Sequence, residues 1–329
     1  MYILITGAAG MIGRKLTERL VAGPLHGQAI ERLTLTDVLA PAKPAFSGAV
    51  EIVTTDLATP GAAEKLVGGR PDIIFHIAGI VSAEAELDFE KGYRSNLDGM
   101  LALLEAVRRA GDGYRPKLIF TSSCAAYGAP FPDIIGDDFH LTPLTSYGTQ
   151  KAMCELLLAD YTRRGFVDGV GLRLPAICVR PGKPNKAASG FYSSIIREPL
   201  AGREAILPVD DRNLHTHASP RGAVGFLIHA AGLGRDQLGH RINLTMPGVS
   251  CTVAEQIDAL RRIAGDKVAA RIRREPDALV MRIVDGWPHR FEAKRARALG
   301  FVAERSFDDI IRVHIEDELG GRIANVDVQ

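Results

Sequence analysis

Short apolar runs alternate with longer stretches of helical periodicity through the first half of this chain. Residues 2–6 predict a strand, as do Arg32-Leu33-Thr34-Leu35-Thr36 and residues 49–53. Asp72-Ile73-Ile74-Phe75-His76-Ile77 reads as a fourth strand, apolar at nearly every position as a strand buried on both faces must be. Residues 117–122 and 169–175 predict a fifth and a sixth. Between them the spacing predicts helices over 11–22, 61–67, 93–110 and 146–164. In the third of these Leu97, Met100, Leu101, Leu104 and Val107 recur at three- and four-residue intervals. Such alternation predicts an α/β fold with a parallel, doubly wound sheet and right-handed crossovers.

After residue 175 the rhythm breaks. Arg180-Pro181-Gly182-Lys183-Pro184-Asn185 reads as a loop. Helices are expected over 190–201, 221–231, 253–264 and 307–319, with short strands at 206–209 and 241–245. The expected division is a nucleotide-binding unit over 1–175 and a smaller C-terminal α/β substrate lobe over 176–329, some of whose segments return to the first core.

Composition narrows the function classes. Of 329 residues 46% are hydrophobic and 24% charged, an ordinary globular balance. A net charge of +1 with interspersed signs offers no field for nucleic acid or an anionic membrane. Cys124, Cys154, Cys178 and Cys251 are far apart and form no C-x-x-C pair, which points to a reducing compartment rather than disulfides or a metal site. Residues 2–6 run straight into a glycine turn, too short for a signal-peptide core, and no apolar stretch approaches the roughly 20 residues of a membrane span. The expectation is a cytoplasmic enzyme without a metal.

Thr6-Gly7-Ala8-Ala9-Gly10-Met11-Ile12-Gly13 lies between the first strand and the first helix. There Gly7 permits a tight turn, Gly10 lets the backbone approach a pyrophosphate, and Gly13 lets the helix pack closely on the strand. The phosphates would then meet free N–H groups of Met11 and Ile12 at a helix N-terminus. This is the pattern of a Rossmann dinucleotide site. Asp37, closing the second strand, suits the adenosine ribose hydroxyls and would repel a 2′-phosphate, so NAD is expected rather than NADP. Asp56 and Leu57 are placed to meet the adenine. Ala78 and Gly79 are small enough to pass over the pyrophosphate and second ribose.

Tyr147 and Lys151 stand four apart, on one face of the predicted long helix. A nearby ammonium favours a phenolate, which suits general-base work on a substrate hydroxyl. Ser123 follows the fifth strand, at the strand ends where such sheets hold ligands.

Together the glycine turn, Asp37, Ser123, Tyr147 and Lys151 resemble the extended short-chain dehydrogenase/reductase family, the NAD-dependent epimerase/dehydratase group. The resemblance runs over essentially the whole chain and includes Phe291-Glu292-Ala293-Lys294 and Leu299-Gly300-Phe301 near its end. It implies that Tyr147 is the proton acceptor, that Lys151 binds the nicotinamide ribose and tunes Tyr147, and that Ser123, four residues before Tyr127, holds the substrate hydroxyl. It also implies that Asn96 shapes the nicotinamide side, with Pro175 and Ile177 completing the cofactor set. Helices near 96–110 and 146–164 resemble the family's dimer-forming pair, which implies a homodimer.

The departures concern the substrate. Nucleotide-sugar enzymes of the family carry an asparagine after the sixth strand, and this chain has Ala176 there. Basic and polar residues stand nearby instead: Arg180, Lys183, Asn185, Arg197, His215 and His217, with Ser82 after the fourth strand. Arginine binds a carboxylate bidentately, while histidine and asparagine read hydroxyls. The expected substrate contacts are Ser82, Ser123, Tyr147, Arg180, Asn185 and His217. Residues 145–151, 172–185 and 189–200 resemble a subgroup that oxidises a four-carbon sugar acid at C2 with NAD. Two other readings stay open: an NAD-retaining nucleotide-sugar epimerase or dehydratase, and a non-catalytic dinucleotide sensor.

Overall fold

A computed structural model describes residues 1–182 and 189–324. Its central sheet is parallel throughout. Strands β1 (Tyr2–Thr6), β2 (Arg32–Asp37), β3 (Ala49–Thr54), β4 (Ile73–His76), β5 (Lys117–Ser123) and β6 (Asp168–Leu174) lie in the order β3-β2-β1-β4-β5-β6, and Asn243–Thr245 pairs outside β6. The chain leaves β1 toward β2 and β3 on one side, then returns to place β4 on the other. That reversal opens a crevice at the C-terminal ends of β1 and β4, where such sheets bind ligands.

Burial explains the apolar runs. Ile3, Leu4, Ile5, Ile74, Phe75, Leu118 and Ile119 are fully enclosed, because helices cover both faces of the sheet. Met11–Val21 packs beside Pro220–Ala231, while Gly99–Arg109 packs against both Ala62–Val67 and Ser146–Arg163. Pro220–Ala231 and Asn243–Thr245 belong to the core of this sheet although they follow residue 176.

The remaining C-terminal segments surround a second core that includes Tyr192, Ile195, Leu207, Leu260 and Ile310. Leu214–Ala218 pairs antiparallel with Val249–Thr252 and parallel with Ala176–Ile177. Ala205–Leu207 pairs with Ile272–Arg274. Thr252 opens the helix Val253–Ala264 with a capping box: its hydroxyl accepts from the Glu255 N–H, and the Glu255 carboxylate accepts from the Thr252 N–H.

Two differences from the sequence pattern lie between β4 and β5. No helix was expected between the fourth strand and residue 93, yet Ser82 opens a short helix Ser82–Leu87, followed by Phe89–Gly92, whose N–H of Lys91 is capped by Asp88. Each is too short to show a period. The helix expected over 93–110 begins as a π-helical turn, Tyr93–Asp98, before the α-helix Gly99–Arg109. Among the described residues no helix is long and apolar enough to cross a membrane, and no three His, Cys, Asp or Glu side chains gather as metal ligands.

Candidate active site

The glycine turn is shaped by contacts that admit no side chain. Gly7 has φ +75°, and an added Cβ would lie 2.6 Å from the Ala78 nitrogen. At Gly13 it would lie 2.1 Å from the Gly7 carbonyl oxygen, so helix and turn touch through backbone alone. Gly10 caps the helix Met11–Val21 without a side-chain hydrogen bond, and no acid lies in the first turn. The helix therefore offers uncapped N–H groups and the positive end of its dipole to an anion.

Asp37 is bound into this turn. One carboxylate oxygen accepts from the Ala9 N–H at 3.0 Å and the other from the Leu39 N–H at 3.3 Å. Asp56 accepts from the Ala58 N–H at 2.9 Å and from Arg94 Nε at 3.0 Å. Together with Leu57, the turn and both acids line the β2–β3 side of one cleft of about 1060 Å³. Ala78, Gly79, Pro175 and Ile177 line the same cleft. The side-chain-free turn, the uncapped helix end and the carboxylate beside it fit a dinucleotide with an unphosphorylated ribose.

Ser123, Tyr147 and Lys151 line the cleft on its β5–β6 side. Tyr147 sits in the first turn of Ser146–Arg163, where the Thr145 hydroxyl accepts from the Gly148 N–H at 3.1 Å. Gly148 is required because a Cβ would lie 2.1 Å from the Ala125 carbonyl oxygen, in the short turn after β5. Lys151 is buried. Its ammonium donates to the Thr121 carbonyl at 2.9 Å and lies 5.7 Å from the Tyr147 ring centre. The ammonium also acts on His76, whose pKa falls to about 3, first by burial and then by the Lys151 charge. His76 is thus neutral, paired through Nδ1 with the Thr6 hydroxyl at 2.8 Å.

The two serines of β5 have different partners. The Ser122 hydroxyl donates to Glu155 at 2.5 Å in a buried network. Ser123 accepts from the Ala125 N–H at 3.1 Å, which leaves its own proton free to donate.

Asn96 does not line the cleft. It is buried in the π-helical turn, where its oxygen accepts from the Ile80 N–H at 2.9 Å and its nitrogen donates to Gln150 at 2.7 Å. Its action on a cofactor would pass through the loop 78–80.

Ser82 and Arg180 line the cleft. Arg180 donates from Nε to the Ile177 carbonyl at 3.0 Å and weakly to the Ser189 hydroxyl at 3.4 Å; among the described residues no carboxylate pairs with it. Burial lowers its pKa, working against its charge. Arg197 lines the cleft as well but has a carboxylate partner: it donates to Glu198 at 2.8 Å, to the Arg180 carbonyl at 2.7 Å and to the Ser194 hydroxyl at 3.2 Å.

Of the two histidines on Leu214–Ala218, His215 faces the cleft and His217 does not. His217 is enclosed in the second core, 2.8 Å from the Gln256 amide. Strand alternation puts residues 215 and 217 on one face, their rings 5.5 Å apart, and only the first reaches the open end of that face. His215 stacks on Tyr192 at 5.3 Å and 3°, and burial pushes its pKa down to about 4. Trp287, between Gly286 and Pro288, also lines the cleft, 5.8 Å from the His215 ring. It was not expected as a site residue; its one signal is being the sole tryptophan of the chain, set between two turn formers. Lys183 and Asn185 lie outside the described residues.

Fold and site together define a Rossmann-type oxidoreductase built for a nicotinamide dinucleotide. Residues 3–215 match the NAD dependent epimerase/dehydratase family. The chain is 48% identical over 322 residues to the D-erythronate dehydrogenase of Cupriavidus necator, covering 96% of this chain and 98% of that protein. It is 40% identical over 319 residues to the D-erythronate dehydrogenase of Haemophilus influenzae, covering 97% and 100%. A solved structure described as a nucleoside-diphosphate-sugar epimerase from Agrobacterium tumefaciens matches with a TM-score of 0.96 and 64% identity, covering 98% of this chain and 95% of that one. The chain belongs to the NAD dependent epimerase/dehydratase family, as its glycine turn and its Tyr147–Lys151 spacing imply.

Proposed function

We propose that this protein is an NAD-dependent dehydrogenase that oxidises the C2 hydroxyl of a small sugar acid of the D-erythronate type to the 2-oxo acid. Residues 1–175 would carry the cofactor and residues 176–329 most of the acid. The observation that carries the reading is Arg180, a guanidinium in the same cleft as Tyr147 with no carboxylate partner among the described residues. A substrate carboxylate would complete it, whereas Arg197 already holds the Glu198 carboxylate at 2.8 Å. The D-erythronate dehydrogenases similar over nearly the full chain support the substrate class.

NAD, when bound, supplies the hydride acceptor. Ser123 donates its free proton to the substrate oxygen and holds it. Tyr147 takes the hydroxyl proton as the C2–H bond breaks and the carbon–oxygen double bond forms. Lys151, fixed on the Thr121 carbonyl, places a positive charge near the phenol and would hold the nicotinamide ribose. Ser82, His215 and Trp287 offer polar and aromatic surface to the remaining hydroxyls; Asn185, as the family strings imply, would add an amide.

A nucleotide-sugar epimerase is the second reading, favoured by the description of the Agrobacterium tumefaciens structure. Ala176 argues against it, since a methyl group cannot donate to a diphosphate. The deciding experiment measures NADH formation across tetronates, aldonates and uronates. Stoichiometric NADH with a tetronate supports the dehydrogenase. Retained NAD, no NADH with any acid and a thermal shift with UDP-sugars would establish the epimerase instead.

We further propose a homodimer through Gly99–Arg109 and Ser146–Arg163, whose outer faces expose Leu101, Met153 and Leu156. A monomer mass by light scattering would refute it. The four buried, unpaired cysteines suit the cytoplasm.

A further inference from the structure

Gln150 takes no part in the chemistry above, yet it is wholly buried beside it. Its Oε1 accepts from Asn96 Nδ2 at 2.7 Å. Asn96 Oδ1 accepts in turn from the Ile80 N–H at 2.9 Å, and Nδ2 also faces the Ile80 carbonyl at 3.4 Å. A backbone N–H can only donate, so it orients both amides. Asn96 must turn oxygen to Ile80 and nitrogen to Gln150, and Gln150 must answer with oxygen.

That orientation leaves Gln150 Nε2 buried and unpaired among the described residues. It is pressed against Gly92, where an added Cβ would lie 2.7 Å away. An unpaired buried donor costs stability, and an apolar side chain of similar volume would avoid the cost. What accounts for an amide here is the bond its oxygen makes.

A second tie runs parallel to the first. Cys154, one turn further along the same helix, donates from Sγ to the Asn96 carbonyl at 3.1 Å. That carbonyl lies in the π-helical turn Tyr93–Asp98, an interruption of the kind found at functional sites. Gly79 closes the contact: a Cβ there would lie 2.6 Å from Asn96 Oδ1 and 3.7 Å from Lys151 Nζ. Tyr147, Gln150, Lys151 and Cys154 follow the i, i+3, i+4, i+7 spacing of one helix face. One face of the catalytic helix thus carries both the reacting groups and the clamp on the loop that lines the cleft.

We propose that Gln150 is a positioning residue: by holding Asn96 it sets the loop 78–80 against Lys151, and so fixes the nicotinamide half of the cleft. The inference rests on the NAD reading, and its test separates the two. NADH is titrated by fluorescence into wild type, Gln150→Met, Gln150→Asn and Gln150→Glu, and KM is measured for NAD and for the acid. Met keeps the length and removes the acceptor; Asn keeps the amide and shortens its reach; Glu keeps the acceptor and removes the unpaired donor. The expected result is NADH affinity about tenfold weaker in Met and Asn, the worth of one buried hydrogen bond. KM for NAD rises to match, KM for the acid holds, and Glu stays within about threefold of wild type. Asn carries the test if Met does not fold. Wild-type NADH affinity in Met or Asn, or a Glu variant as weak as they are, overturns the inference. A wild-type protein that binds no NADH overturns the NAD reading itself.

Discussion

The Lys151 ammonium donates to the Thr121 carbonyl at 2.9 Å, tying the catalytic helix to the C-terminal end of β5. Ser123 lies two residues further along the same strand end. One hydrogen bond therefore sets the ammonium, the phenol 5.7 Å from it and the serine hydroxyl in a common frame. Neither partner can move without disturbing the other two groups.

Tyr147→Phe removes one oxygen and little else. General-base catalysis is worth about 10²–10⁴ in rate, so kcat is expected to fall in that range while NADH affinity stays near wild type. Lys151→Met also strips the Thr121 carbonyl of its donor, so it is expected to lower both kcat and NADH affinity. Steady-state kinetics and fluorescence titration read the two separately, and undiminished turnover in Tyr147→Phe would end its assignment as the base.

Arg180→Met removes the proposed carboxylate partner. A charge-assisted hydrogen bond contributes about 1.5–3 kcal/mol, so KM for the acid is expected to rise by roughly 10- to 100-fold. KM for NAD should not change. An equal effect on both substrates would place Arg180 at the cofactor.

Glu155 and Arg173 form a buried pair behind the site. Arg173 Nε lies 3.0 Å from both carboxylate oxygens, a terminal nitrogen lies 2.7 Å from one, and the other terminal nitrogen donates to Tyr127 at 2.8 Å. Removing one partner of such a pair costs about 3–5 kcal/mol because the other charge is left stranded. Glu155→Ala is therefore expected to lower stability in urea by about that amount, and adding Arg173→Met should recover part of it. Additive losses in the double variant would show that the charges do not act as a pair.

Stability should fall on mild acidification. His314 is buried with neither ring nitrogen partnered among the described residues. Burial pushes its pKa from 6.5 down to about 4, with Glu318 opposing and Arg197 and Lys15 reinforcing. The unfolded chain takes up the proton near 6.5 and the folded chain only near 4, so stability is present above that window and lost as pH falls through it. One such histidine is worth about 3 kcal/mol by pH 4, and His215 and His76 act in the same sense. The melting temperature is expected to drop from pH 6.5 to 4, less steeply in His314→Leu. An unchanged slope would assign the loss to other groups.

The inner strands β1, β4 and β5 were legible because burial on both faces leaves near-continuous apolar runs. Leu214–Ala218 was not, since His215, Thr216 and His217 carry the polarity of a loop. It is a buried strand because its polar groups find partners inside: Tyr192 stacks on His215, the Gln256 amide meets His217, and Ser250 meets Thr216 at 2.8 Å. The π-helical turn at Tyr93–Asp98 escaped for another reason: six residues show the same apolar spacing whether wound as α or π.

By itself the sequence determined what is local. Steric demand at Gly7 and Gly13 specifies the turn, and a four-residue spacing puts Tyr147 and Lys151 on one helix face. Tertiary structure decided which of Ser122 and Ser123 meets Glu155, and which of His215 and His217 meets the cleft. It also decided that Gln150, 54 residues from Asn96 in the chain, would hold it. Those choices depend on what packs against each side chain, and a contact between distant segments leaves no period in either of them.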